Sequence, residues 1–243
     1  MMLDDVRVLR SAVEGYRAAA AAAGVPWLDE DDRIGGMPVD VLCRVFDVDR
    51  IAEQPIWLNT HGLPYGRVLP SGAYPLLLTK ADDLLGYLSF AVGIPFHWRH
   101  QLPMFMYEHI VFTFVLAGDN EGEVWRYQIG ADDWNPVRAS PSLASLFTEW
   151  TNGFTANVYF RSPYDSWLHV GDGEHDERDP VDVLLERGLN PFAFPVDISQ
   201  YSHKDLLRAR QMECGVDVDR ADQPERQEEL LDAIEAALVS LRR

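Results

Sequence analysis

A chain of 243 residues, 47% hydrophobic and 25% charged, has the composition of an ordinary globular protein and enough length to bury a sizeable core. Its net charge of -18 would repel a phosphate backbone, and its Lys and Arg residues are scattered along the chain, so nucleic acid is not an expected partner. Cys43 and Cys214 stand far apart with no CxxC pair or Cys/His group beside them, which argues against a disulfide framework or zinc knuckle and predicts two buried thiols in a reducing compartment.

The opening MMLDDVRVLR carries charge where a signal peptide needs an apolar run, and no apolar stretch approaches bilayer length, so a cytoplasmic chain without a membrane partner is expected. Val6, Leu9, Val13 and Tyr16 recur at helical spacing behind Asp4 and Asp5, and the alanine run 18–23 continues that helix to Gly24. A short helix is predicted from Pro38, with Val39, Leu42, Cys43 and Phe46 on one face. Between Pro55 and Thr79, glycines and prolines punctuate IWL and YPLLLT, which read as short strands. Thr79 then predicts the cap of a helix with Asp82 and Asp83 in its first turn, a stripe of Leu84, Leu85, Leu88 and Val92, and an end at Gly93.

The segment 110–117 (IVFTFVLA) is apolar on both alternating faces apart from Thr113, the pattern of a strand buried in mid-sheet. In 123–130, Trp125, Tyr127 and Ile129 alternate with Arg126 and Gln128, a second strand with unlike faces. The five residues Gly118 to Gly122 between them have the Gly, Asp and Asn content of a hairpin loop. A turn at 131–135 leads to a short strand near Val137, which Pro136 pushes toward a sheet edge. Ser140 is placed to cap a helix beginning at Pro141, whose stripe of Leu143, Leu146, Phe147, Trp150 and Phe154 must cover a sheet face. Beyond lie extended aromatic segments, a polar break at 171–180, a helix started by Asp179 and Pro180, another marked by Ser202 and Asp205, and a last one carrying Leu230, Leu231, Ile234, Leu238 and Leu241.

Few residues invite a catalytic reading. His97, His100, Glu108 and His109 form the best metal candidate by residue type, but their spacing is wrong for a helical HxxxH pair. Ser202, His203 and Asp205 are too close in sequence for a hydrolase triad, which is assembled from distant segments, and no GxSxG elbow is present. Neither GxxxxGK[ST] nor GxGxxG occurs, and the acidic run 172–179 lacks the spacing of a calcium loop. No catalytic residue, metal or cofactor is expected.

The run FTFVLAGDNEGEVWRYQIG followed by NPVRASPSLASLFTEW resembles the SUKH superfamily, which includes fungal cell-wall assembly regulators and bacterial immunity proteins. The resemblance rests on an apolar strand, a Gly/Asp turn, an aromatic strand, a third strand and a Ser-initiated helix. The family's early Leu-Pro helix is not evident at Leu63 and Pro64, and the residues after Arg161 have no counterpart in its compact core. The resemblance implies an α+β fold, a mixed or antiparallel sheet covered by helices. Residues 1–162 would form the SUKH-like domain, with 163–243 a mainly helical extension packed on or following it. It also implies a non-catalytic protein-binding module, an immunity protein that occupies the active cleft of a toxin. The charge suits a basic partner, since an acidic surface is steered onto a cationic one. Alternatives are a regulatory scaffold of the same family and a metal-assisted hydrolase built on His97 to His109. The candidate docking residues are the acids in and beside the two hairpin turns, Asp119, Glu121, Glu123, Asp132 and Asp133, with Trp134 as an aromatic anchor.

Overall fold

The computed structural model describes residues 2–25, 37–62, 69–71, 74–75, 81–129, 136–161, 164, 167–173, 178–198 and 200–243. Its centre is an antiparallel sheet in the order β1-β2-β3-β4-β5, formed by Tyr74–Pro75, Gln101–Tyr107, Ile110–Val115, Val124–Gln128 and Val137–Ser140. The four longer strands follow one another as a meander, because each is separated from the next by only a few residues in sequence. The β2–β3 turn is Glu108–His109, with Glu108 at φ 47, and the β3–β4 loop uses Gly118 and Gly122 at φ 90 and 96. Pro103 has no N–H to give to the ladder, and the β2–β3 register shifts beside it, between Pro103 and Phe105.

β3 is buried along its whole length, as its composition predicts. β4 is also buried at every position, so Arg126 and Gln128 lie inside the protein although alternation alone would face them to water. The pairings Phe112 to Arg126 and Thr113 to Trp125 assign the residues of the two strands to opposite faces.

The face carrying Phe112 and Arg126 is covered by α5 (Leu143–Thr155), through Trp150 against Phe105 and Phe112 at ring distances of 5.5 and 6.5 Å. α1 (Met2–Ala22) lies against α5, and its Tyr16 meets Phe147, Trp150 and Phe154 at 5.9, 6.1 and 5.5 Å. Leu9, Val13 and Ala20 are buried on the same face of α1, and Gly24 ends the turn beyond it at φ 74. α5 starts later than Ser140 and Pro141 predict: Ser142 is the cap, its Oγ accepting from the Ser145 N–H at 3.0 Å. Ser140 is held extended in β5 by its pairing with Val124, so the next serine takes the capping role.

Two other elements depart from expectation, and a third is described only in part. IWL is not a strand: Ile56 and Trp57 belong to α3 (Glu53–Trp57), which runs into a π-helical turn at Leu58–Gly62. Pro55, read as a strand breaker, stands in the first helical turn, where its missing N–H costs nothing. In YPLLLT only Tyr74 and Pro75 are described, as the edge strand β1; residues 76–79, Thr79 included, lie outside the described residues. α2 (Val39–Phe46) forms as predicted with Pro38 as cap residue, whereas α4 (Ala81–Gly86) is shorter than its stripe, and Leu88 and Val92 are buried beyond its end.

Residues beyond 163 do not stand apart from the rest. After the small β6–β7 hairpin (Tyr159–Arg161 and Leu168–Val170) come α6 (Pro180–Glu186), a 3-10 turn at Pro191–Ala193, α7 (Gln200–Glu213), α8 (Val218–Ala221) and α9 (Pro224–Leu241). Val181, Leu184, Phe192 and Phe194 join the same core as Trp150, whose Nε1 donates to the Ala193 carbonyl at 2.7 Å. Arg210 of α7 donates to the Arg138 carbonyl on β5, at 3.0 Å from Nε and 2.9 Å from Nη2, which satisfies an edge group of the sheet. On the face of Trp125, the loop before β2 brings Phe96 edge-on to the indole at 5.1 Å. Gly93 at φ 77 anchors this loop, since an added Cβ would stand 2.6 Å from the Asp217 carbonyl oxygen. In α9, Leu230, Ile234 and Ala237 are buried while Leu231, assigned to the stripe by sequence, is 44% exposed. Cys43 is half-buried and Cys214 buried, both as free thiols. Among the described residues no helix is long and apolar enough to cross a membrane.

Candidate functional site

The β3–β4 hairpin separates its acids by role. Asp119 is exposed at the tip. Glu121, also exposed, accepts from Arg50 at 2.8 Å. Glu123 is turned inward and corrects its reading as a docking acid: it accepts from Arg138 Nη1 at 2.8 Å, Trp125 Nε1 at 2.9 Å and Asn120 Nδ2 at 3.0 Å. Asp132, Asp133 and Trp134 lie outside the described residues.

Burial pushes the Glu123 carboxyl up, but the bonds from Arg138, Trp125 and Asn120 together outweigh it and hold the group below its ordinary value. A carboxylate depressed in this way adds stability above its unfolded pKa and loses it as pH falls through the folded value. Glu123→Gln should therefore unfold about 1–3 kcal/mol more easily than the parent at neutral pH, the range of hydrogen bonds to a charged group. The gap should close as acid protonates the parent carboxyl; denaturant unfolding at pH 7 and pH 3 checks this, and a gap that widens in acid contradicts the assignment.

The histidine cluster suggested by sequence is dispersed. His97 and His100 stand together before β2, with ring centres 5.0 Å apart, whereas His109 follows β2. At about 3.4 Å per residue, a strand of that length keeps His109 about 20 Å from the other two. Burial and the neighbouring His100 lower the pKa of His97, with Asp47 opposing and Arg99 adding to the shift. Among the described residues no group of three His, Cys, Asp or Glu side chains is arranged to hold a metal ion.

The residues that sequence reasoning missed are the polar ones inside the sheet. Gln101, Thr113, Arg126 and Gln128 are all buried. Gln101 Oε1 accepts from Thr113 Oγ1 at 2.9 Å and from the Tyr127 hydroxyl, and its Nε2 donates to the Trp98 carbonyl at 3.0 Å. Arg126 donates from Nη1 to the Phe194 carbonyl at 2.9 Å and from Nη2 to the Val196 carbonyl at 2.8 Å. Burial pushes its guanidinium down to about 9 while Asp197 pulls it up, so the group is charged at neutral pH. Gln128 accepts from the Ile198 N–H at 3.2 Å and donates to Asp197.

These bonds pin the segment 194–198 to the sheet, where it becomes one wall of a cleft of about 360 Å³ that also meets Tyr107, His109, His169, Asp179 and Ser202. A legible signal existed in the apolar run FAFPVDI, 192–198, which needs a surface to cover. A second cleft of about 510 Å³ lies between the loop 91–98 and α8 and α9, where Arg226 is paired with Glu229 at 2.5 and 2.7 Å.

α9 supplies a further acidic feature. Glu225, Glu228, Asp232 and Glu235 are all exposed, and their spacing of 3, 4 and 3 residues brings them onto one face. Repelling carboxylates at such spacing cost the helix a few tenths of a kcal/mol each. Compared with known proteins, the chain matches no family model and no curated sequence.

Proposed function

We propose that this protein is a binding module that acts by docking on another protein, as an immunity protein does on a basic toxin. The observation that carries this reading is the distribution of the -18 charge. Carboxylates crowd exposed elements, the face of α9 and the Asp119 tip of a hairpin held at Glu123, while Arg126 is buried and directs its charge inward to the Phe194 and Val196 carbonyls. The order β3, hairpin, β4, β5, α5, with α5 seated on the sheet, is the arrangement that the SUKH resemblance implies, and it supports the same reading.

Such a surface would act through its long-range field. It raises the rate of encounter with a cationic partner, and salt screens the effect beyond about 10 Å. The test uses the protein that copurifies with this chain or is encoded beside it. Association should be at least about tenfold slower at low salt for Glu228→Lys with Asp232→Lys, and slower by a smaller factor for Asp119→Lys, with both differences shrinking at high salt. Equal on-rates for parent and both variants at low salt would reject the acidic-surface reading.

A further inference from the structure

The cleft walled by the segment 194–198 holds an arrangement that the spacing of Ser202, His203 and Asp205 concealed. The carboxylate that meets His203 is not Asp205 but Asp179, from the start of α6: His203 Nε2 lies 3.4 Å from Asp179 Oδ2, and His203 Nδ1 lies 2.8 Å from Ser202 Oγ. In a regular helix the side chains of neighbouring residues diverge and do not meet. α7 is irregular at His203, with φ -136 and ψ 36, and this departure turns the imidazole back onto the preceding hydroxyl.

Asp179 is itself held in place, because its Oδ1 accepts from the Val181 N–H at 2.8 Å as the cap of α6. A carboxylate facing Nε2 favours the tautomer with its proton there, leaving the Nδ1 lone pair toward Ser202. Ser202 and Asp179 line the cleft, and the imidazole between them is nearly enclosed, with 11% of its side chain exposed. The pair Thr60 and His61 shows what is specific here: Thr60 Oγ1 also touches the ring of its neighbour, at 2.5 Å, but among the described residues no carboxylate meets that imidazole.

We propose that this cleft is a serine nucleophile site for small carboxylic esters, with Ser202 as nucleophile, His203 as its base and Asp179 as the positioning residue. Ser202 Oγ would bond to the ester carbonyl carbon as its proton passes to His203 Nδ1. The departing alkoxide takes that proton and leaves as the alcohol. Water then adds to the acyl-serine, giving its proton to Nδ1; the proton returns to Ser202 Oγ as the acid is released. About 360 Å³ suits a short acyl group, and Glu108, Asp179 and Asp197 around the cleft would repel an anion, so the substrate class is an uncharged or cationic ester.

The test needs no binding partner. The parent is treated with a dialkyl fluorophosphate, in which the P–F bond breaks, fluoride leaves and the phosphoryl group stays on the serine, and with p-nitrophenyl acetate as substrate. Label is expected on Ser202 and absent from Ser202→Ala and from Thr60. His203→Gln should label about 100-fold more slowly or worse, the usual contribution of a positioned base. Asp179→Asn keeps the capping oxygen, so it should melt as the parent does while labelling at least about tenfold more slowly. An unlabelled parent, or a folded Asp179→Asn that labels as fast as the parent, overturns the proposal, and the second outcome decides the matter even if His203→Gln does not fold.

Discussion

Replacing Trp150 with alanine is expected to cost about 3–5 kcal/mol of stability, the upper range for truncating a buried aromatic. Trp150 is fully buried at the point where α5, α1 and the sheet meet, in ring contact with Tyr16, Phe105, Phe112 and Phe147. Stiff rings anchored on a sheet and two helices cannot close the cavity left behind, and the Ala193 carbonyl would lose its donor. Trp150→Phe keeps most of the ring and loses the N–H, so a smaller loss of about 1–3 kcal/mol is expected. Urea unfolding measures both, and a loss of a few tenths for the alanine variant would mean that the stripe of α5 is not core.

The second large effect is expected at Arg126. Arg126→Ala removes two donors from carbonyls in the interior, and each orphaned acceptor costs about 1–3 kcal/mol, so a total loss of about 2–6 kcal/mol follows. Arg126→Lys should recover only part of it, because a single ammonium cannot reproduce the fork that reaches both carbonyls. Loss of the guanidinium also releases the wall formed by 194–198, so the amide of Ile198 should exchange faster in Arg126→Ala even under conditions where the protein stays folded. A variant as stable as the parent, with unchanged exchange at Ile198, would show that Arg126 does not hold the segment.

Much of the framework was legible because it is local. The spacing of Leu9, Val13 and Tyr16, the run of β3, apolar on both faces apart from Thr113, and the glycines of the hairpin each report a repeat or a turn within a few residues, and the structure contains all three. Errors arose where a local signal has two meanings. Pro55 marks either a break or a first helical turn, and Ser140 and Ser142 are equal as caps until strand pairing claims one of them.

The sequence by itself determined the α+β class, the meander of β3 to β5 with α5 behind it, and a strongly acidic chain. Tertiary structure alone decided which polar groups work inside. Arg126 meets carbonyls 68 and 70 positions away, Glu123 meets Arg138, and His203 meets Asp179 rather than the nearby Asp205. The physical reason is that alternation reports the direction of a side chain relative to its own strand or helix, whereas burial, charge pairing and the makings of a site depend on what a distant segment lays over that face. On β4 that segment is 194–198, and its arrival turns a face that alternation assigned to solvent into the wall of a cleft.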